Sequence, residues 1–219
     1  AHGHPGKRNW WASKQGMKPE TTSQFVIVKS EDDGVTWSDP INITSQIKNK
    51  DWFLTLGGDG HQPAIEPGNP EILYSQWQQG NLARRDMKTG ENVYIKPQAR
   101  PGEPAERFNW DAPINVSAHD PKRLYFPSQR VWRSDDRGDS WTPISGDLTK
   151  NGNRMHMPMM GRTWSVEAGW DIYAMSNFHT IANFSESPVD EKILWVGTDD
   201  GLIQVSKDGG KNWKKINLK

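Results

Sequence analysis

The chain has no cysteine in its 219 residues, which excludes disulfides and thiolate metal sites but leaves the compartment open. No apolar run reaches the roughly 20 residues that a membrane-spanning helix needs. Net charge is missing too. Lys plus Arg and Asp plus Glu stand at 27 each, so no global field points to nucleic acid or an anionic membrane. Hydrophobic residues make up only 33%, too few for a thick aliphatic core. Helical periodicity is hard to find, and the opening "AHGHPGKRNWW" carries no signal peptide, so the chain reads as a mature or excised piece. Tryptophan, by contrast, is abundant at 12 residues. Many thin layers, each anchored by a large aromatic, reconcile that count with the low hydrophobic fraction.

Internal repetition organises the rest. "SEDDGVTW" at 30–37 returns as "SDDRGDSW" at 134–141 and "SKDGGKNW" at 206–213. Around the second and third octets lies a longer shared pattern, at 112–144 and 180–216. Each unit has a short apolar stretch, a Pro/Asp turn, a β-rich stretch with Leu124-Tyr125 or Leu194-Trp195, a third stretch, the octet and a fourth stretch. Residues 62–97 fit the same template with the degenerate last turn "DMKTGE". Four short antiparallel strands in about 40 to 45 residues are the pattern of a β-propeller blade. The expectation is an all-β propeller of about four to five blades in one domain. It comprises a partial blade at 1–48, fuller blades at 51–97, 108–147 and 175–219, and an inserted loop at 146–176.

The octet then falls in the hairpin between the third and fourth strands of a blade. Gly34, Gly138 and Gly210 can take positive φ at low cost. Asp32, Asp136 and Asp208 can accept backbone N–H groups within the turn, and Ser30, Ser134 and Ser206 can add a hydroxyl contact. Trp37, Trp141 and Trp213 are expected to fold back and pack between strands. Three copies around a ring face three directions and cannot meet at one substrate, so the octet reads as scaffold.

The octet resembles the Asp-box, or bacterial neuraminidase repeat, of sialidases and sortilin-like propellers. Residues 1–48, with "SKQGM" and "TSQFVIVKSEDDGVTWSDPINIT", resemble a blade of bacterial exo-sialidases. From residue 49 onward, "DWFLTLGGDGHQPAIEPGNPEILYSQWQQGNL", "RFNWDAPINVSAHDP", "MMGRTWSVEAGW" and "ILWVGTDDGLIQVSKDGGKNW" resemble bacterial sortilin-like BNR-repeat glycosyl hydrolase propellers. The change of likeness near residues 46 to 51 suggests a hybrid, natural or engineered. The resemblance implies a secreted or periplasmic protein.

It does not supply catalytic residues. Exo-sialidases hold their substrate carboxylate with three arginines, use a Tyr/Glu pair as nucleophile and an Asp as acid/base, because a carboxylate calls for guanidinium forks and a neutral nucleophile. The family's Phe/Tyr-Arg-Ile-Pro motif is absent, and "ARPG" at 99–102 and "ERFNW" at 106–110 are poor substitutes. Arg8 is the sole Arg in the first 50 residues. No catalytic residue is assigned, and no cofactor or metal is expected. A turnover activity, if present, would be a glycosidase of the sialidase type.

A binding site would lie where loops lead into the innermost strands, expected at 63–66, 113–117 and 180–185. The residues just before them form a polar and aromatic collar: Asp59 and His61; Asn109, Trp110 and Asp111; Asn177 and His179. Such a collar suits a sugar or a peptide end, with Trp110 as stacking platform. The blander alternative is that these residues cap strand ends. Two His and two Asp could hold a metal in principle. Arg84, Arg85, Arg133 and Arg137 are expected to pair with Asp in solvent, and Met155, Met157, Met159 and Met160 to pack over the propeller. The leading reading is a non-catalytic scaffold or binding module for glycan or protein, with self-association as a way to complete a ring. The rivals are a sialidase-like hydrolase and an engineered or recombined propeller with no ligand.

Overall fold

A computed structural model describes residues 55–59, 62–165, 167 and 177–217, together with one strand pair, β1 (Val26–Ile27) and β2 (Ile41–Asn42). The chain divides into two compact units, Ala1–Leu54 and Thr55–Lys219. The octet at 30–37, with Ser30, Asp32, Gly34 and Trp37, lies outside the described residues, as does the rim candidate His61.

The second unit contains three four-stranded antiparallel sheets, each a simple meander. Blade 2 is β3 (Ala64–Glu66), β4 (Asn69–Trp77), β5 (Asn81–Asp86) and β6 (Asn92–Tyr94). Blade 3 is β7 (Asn115–Val116), β8 (Leu124–Tyr125), β9 (Trp132–Ser134) and β10 (Thr142–Pro143). Blade 4 is β11 (Ile181–Glu186), β12 (Leu194–Thr198), β13 (Ile203–Ser206) and β14 (Lys214–Ile216). The first strands β3, β7 and β11 lie next to one another. Consecutive four-stranded meanders with their first strands gathered together are successive blades of a β-propeller. The expected innermost strands are therefore the observed ones. Pro143 is tolerated because β10 is an outer strand, where no ladder donor is lost. Among the described residues the one helical segment is a 3-10 turn, Arg154–His156, capped by the Asn153 side chain.

Two-residue strands can be stable here because both faces are buried. Successive side chains point to opposite faces. Leu124 enters the layer between blades 2 and 3, with Tyr74, Leu82, Ile95, Phe108 and Phe126. Its neighbour Tyr125 enters the layer between blades 3 and 4, with Val131, Ile181, Leu194 and Val196. Aromatic contacts reinforce both layers: the rings of Phe108 and Phe126 are 5.3 Å apart and those of Tyr125 and Phe184 are 4.8 Å apart. Trp195 holds in β12 the place of Tyr125 in β8 and is 44% exposed.

The octet hairpins do more than turn. Ser134 Oγ accepts from the N–H of Asp136 (3.2 Å) and Gly138 (2.8 Å) and donates to Asp136 Oδ1 (2.7 Å). Asp136 then accepts from the Ser140 N–H (2.9 Å) and hydroxyl (2.6 Å). The same frame recurs with Ser206, Asp208, Gly210 and Asn212, whose amide replaces the Ser140 hydroxyl. These donors hold the half-buried Asp208 carboxyl down to about 2.

The two described octet tryptophans reach across to the preceding blade. The Trp141 indole donates to the Ile95 carbonyl at 2.6 Å, and Trp213 donates to the Ile144 carbonyl at 3.4 Å as well as to Gly210 O at 3.0 Å. Ile95 and Ile144 each follow the last strand of the preceding blade. The glycines press on the same residues. A β-carbon at Gly138 would stand 2.6 Å from Ile95 Cδ1, and one at Gly210 would stand 2.8 Å from Ile144 Cδ1. Both glycines also have φ near +90°, at +89° and +95°. The physical reason is supply. The carbonyl just past each outer strand lies at the sheet edge, and the next blade's indole N–H bonds it.

A second link crosses each interface at the same end. Arg137 reaches from the blade 3 hairpin to the buried Glu66 of blade 2 with two bonds, Nε–Oε2 2.6 Å and Nη2–Oε1 2.8 Å. This corrects the expectation of a solvent pair for Arg137; Arg84 and Arg133 do pair with aspartates, Asp139 and Asp135. Burial raises the Glu66 carboxyl, but the Arg137 and Asn69 bonds outweigh it and hold the group below the usual range. Between blades 3 and 4, buried Glu186 accepts from Ser117 Oγ (2.6 Å), Ala118 N (3.1 Å) and Tyr125 OH (2.8 Å).

Candidate functional site at the strand-start rim

Antiparallel order puts two kinds of loop at opposite ends of each blade. The octets close one end. At the other end lie the segments leading into β7 and β11, the β4–β5 turn at 78–80, the β8–β9 loop at 126–131 and the β12–β13 turn at 199–202. The candidate collar lies at this second end.

The collar residues knit neighbouring loops together. Asn109 Nδ2 donates across the blade boundary to Thr180 Oγ1 at 2.9 Å and lies 3.5 Å from Asp199 Oδ2. Its Oδ1 accepts from the Asp111 N–H at 3.1 Å. The Trp110 carbonyl accepts from the Gln79 N–H of blade 2 at 3.3 Å, leaving the indole half-buried. Asn177 Nδ2 donates to the Phe108 carbonyl at 3.1 Å. Asp59 is exposed, and its N–H donates to Gln78 Oε1 at 3.0 Å.

His179 is buried and takes φ +61°, a backbone state that non-glycine residues seldom adopt. Its Nδ1 lies 2.7 Å from Asp200 Oδ2. Asp200 also accepts from Thr198 Oγ1 and from the Lys150 N–H at 2.7 Å. Burial pushes the Asp200 carboxyl up, yet these three donors hold it below the usual carboxylate range. An ionised Asp200 can only accept, so Nδ1 carries a proton, and in the neutral imidazole the lone pair is then on Nε2.

Several rim residues escaped the sequence reading. Asp199 accepts from the Thr180 N–H (2.9 Å) and hydroxyl (2.7 Å). Arg107 ties three loops together, bonding Asp147 Oδ2 (2.6 Å), Thr149 Oγ1 (3.4 Å) and the His179 carbonyl (3.3 Å). The buried Glu106 carboxylate is held by Arg130 (Nε–Oε1 3.0 Å), Trp132 Nε1 (3.1 Å) and the Ser128 hydroxyl (2.5 Å). The signal for Asp199 and Asp200 was present in "TDDG", which reads as an ordinary tight hairpin.

The inserted loop begins at this end. In it Arg162 stacks 3.6 Å over the Trp164 ring, and the Trp164 indole donates to the Met159 carbonyl at 3.0 Å. Met155, Met157 and Met159 cluster with Arg154 and Trp164, while Met160 is 98% exposed. Among the described residues, no group of three or more His, Asp or Glu is placed to hold a metal ion.

The family model for the BNR/Asp-box repeat matches residues 204–215, the third octet with its flanks. The chain carries a BNR/Asp-box repeat. A sialidase from Bacteroides fragilis (strain YCH46) is 34% identical over 116 residues, covering 44% of this chain. The match spans only 21% of the sialidase's own length. Among solved structures, an ancestral GH74 enzyme superposes on 73% of this chain and 18% of its own, with TM-score 0.44 and 11% identity. YCF48 from Cyanidioschyzon merolae superposes on 72% of this chain and 36% of its own, with TM-score 0.41 and 15% identity. Outside 204–215, the Ser134–Trp141 hairpin has the same Asp-box hydrogen bonds.

Proposed function

We propose that this Asp-box propeller chain is a non-catalytic module that binds a glycan or a peptide at the strand-start rim. One observation carries the reading: Asp147, Asp199 and Asp200 are all committed to fixed donors of the rim itself. A glycosidase needs one carboxylic acid kept protonated near neutrality and a second carboxylate facing it across the scissile bond. Asp200 is pushed in the opposite direction from such an acid. What the rim offers instead is amides, hydroxyls and the half-buried Trp110 indole, a composition suited to recognition. The resemblance to sialidases supports a secreted or periplasmic setting, and an unfinished ring would favour self-association.

The rival is a sialidase-type glycosidase, favoured by the 34% identity to the Bacteroides protein. Binding to a glycan array and a peptide panel, repeated with Trp110→Ala, tests the proposal alongside turnover of a fluorogenic sialoside. Saturable binding lost in Trp110→Ala, without turnover, is the expected result. Steady sialoside hydrolysis by the purified chain overturns it.

A further inference from the structure

Buried acceptors in folded proteins almost always find a donor. His179 Nε2 is buried and has no hydrogen-bond partner among the described residues. It points at Gly152 of the inserted loop: a β-carbon there would stand 2.5 Å from Nε2 and 2.8 Å from Cε1. Only glycine fits against that edge of the imidazole. The preceding residue is Asn151, exposed and at φ +50°. Among the described residues no hydrogen bond engages its side-chain amide, whereas its backbone N–H is held by Thr149 Oγ1 at 3.0 Å. The loop is anchored just upstream by the Lys150 N–H on Asp200, the same carboxylate that orients His179. An Asn amide with no hydrogen bond among the described residues is thus followed by a glycine packed against a buried imidazole nitrogen that a carboxylate orients.

We propose that Asn151–Gly152 is a self-modification site, at which His179, oriented by Asp200, promotes conversion of Asn151 to aspartate and isoaspartate. The Gly152 backbone nitrogen attacks Asn151 Cγ, forming a C–N bond and closing a five-membered succinimide. The Gly152 N–H proton passes to His179 Nε2. The bond between Cγ and the side-chain nitrogen breaks, and that nitrogen leaves as ammonia after taking back a proton. Solvent water then opens the imide at either carbonyl, giving Asp or, with one more methylene in the main chain, isoaspartate. No oxidant, reductant or cofactor is consumed. The product adds a negative charge, and in the isoaspartyl form a longer backbone, where the inserted loop covers His179.

Asn153, two residues on, is the internal control. Its Oδ1 caps the 3-10 turn by accepting from the Met155 N–H at 2.9 Å, and Arg154 rather than glycine follows it.

The test is peptide mapping of the full chain aged in neutral buffer, with trypsin releasing the Asn151–Arg154 peptide. Folded protein is compared with the same chain held unfolded in urea. The expected result is conversion confined to Asn151 and about tenfold faster in the folded chain, below the range of a fully aligned general base. In Asp200→Asn the side-chain amide can donate to His179 Nδ1 and move the ring proton to Nε2, so the rate should fall to that of the unfolded chain. His179→Gln, which keeps a donor but no basic nitrogen, should do the same, and melting curves establish that each variant is folded. A folded-chain rate at or below the unfolded one overturns the proposal, as does an unchanged rate in either folded variant. The outcome does not depend on whether the rim binds a ligand.

Discussion

Blades 2 and 3 close their third and fourth strands with hairpins of different length and different chemistry. In blade 2, Asp86 Oδ1 accepts from the Lys88 and Thr89 N–H groups at 2.8 and 3.0 Å, and among the described residues the turn bonds only within its own blade. In blade 3, Asp136 forms a comparable aspartate turn, but Gly138 and Trp141 carry it onto Ile95 of the preceding blade. The aspartate makes a turn; the glycine and tryptophan make an interface. A hairpin can therefore lose the Ser and Trp of the octet and remain a hairpin, as "DMKTGE" does with Asp86 and Gly90.

The largest expected effect comes from removing the clamp itself. Trp141→Ala empties a half-buried indole site and strands the Ile95 carbonyl, and should cost about 3 kcal/mol in urea or thermal unfolding. A loss under about 1 kcal/mol would reduce the octet to a turn.

Next come the buried carboxylates at the same end. Glu186→Ala leaves the Ser117 and Tyr125 hydroxyls without their acceptor and should cost about 2 to 4 kcal/mol. Glu186→Gln, which keeps an acceptor, should recover much of that loss.

A glycine pair sharpens the comparison further. Gly138 (φ +89°) and Gly90 (φ +78°) share the left-handed backbone, but among the described residues only Gly138 has a neighbour where a β-carbon would go. Gly90→Ala should cost only the backbone strain, about 1 kcal/mol, and Gly138→Ala about 1 to 3 kcal/mol more. Equal losses would place Ile95 out of contact.

The smallest effect is electrostatic. The Asp208 carboxyl sits at about 2, below an unfolded value near its usual 3.8. A depressed folded value contributes stability that is complete above the unfolded value and is lost as pH falls from about 4 towards 2. Asp208→Asn should flatten the acid limb of the stability curve in that window, and carbon-detected NMR should place the Asp208 midpoint near 2. A midpoint at the ordinary value would mean that the Asn212 and Ser206 bonds do not persist in solution.

The blades were legible because turn residues punctuate them. Pro/Asp breaks before β8 and β12, Gly-containing octets before β10 and β14, and paired apolar residues such as Leu124-Tyr125 located the strands without any helical competitor. The clamp was not legible. An octet reports on eight contiguous residues, whereas the acceptor of Trp141 lies 46 residues away at a carbonyl with no distinguishing side chain. Arg137 was misjudged for the same reason: Asp135 and Asp139 flank it in sequence, but buried Glu66, 71 residues distant, offers a bidentate partner. At the rim, Asn109, Trp110 and His179 were named as candidates from their place before an inner strand. Their partners Asp199 and Asp200 sit in a turn whose sequence explains itself, which hid their second role.

The clamp is tested most directly by a double-mutant cycle between Gly138 and Ile95, followed by equilibrium urea unfolding. If the glycine is there to admit the isoleucine of the preceding blade, Gly138→Ala should be markedly less costly in an Ile95→Ala background. A coupling energy of about 1 to 2 kcal/mol is expected. Strictly additive losses would mean the two residues do not meet, and the octet would then be a turn and nothing more.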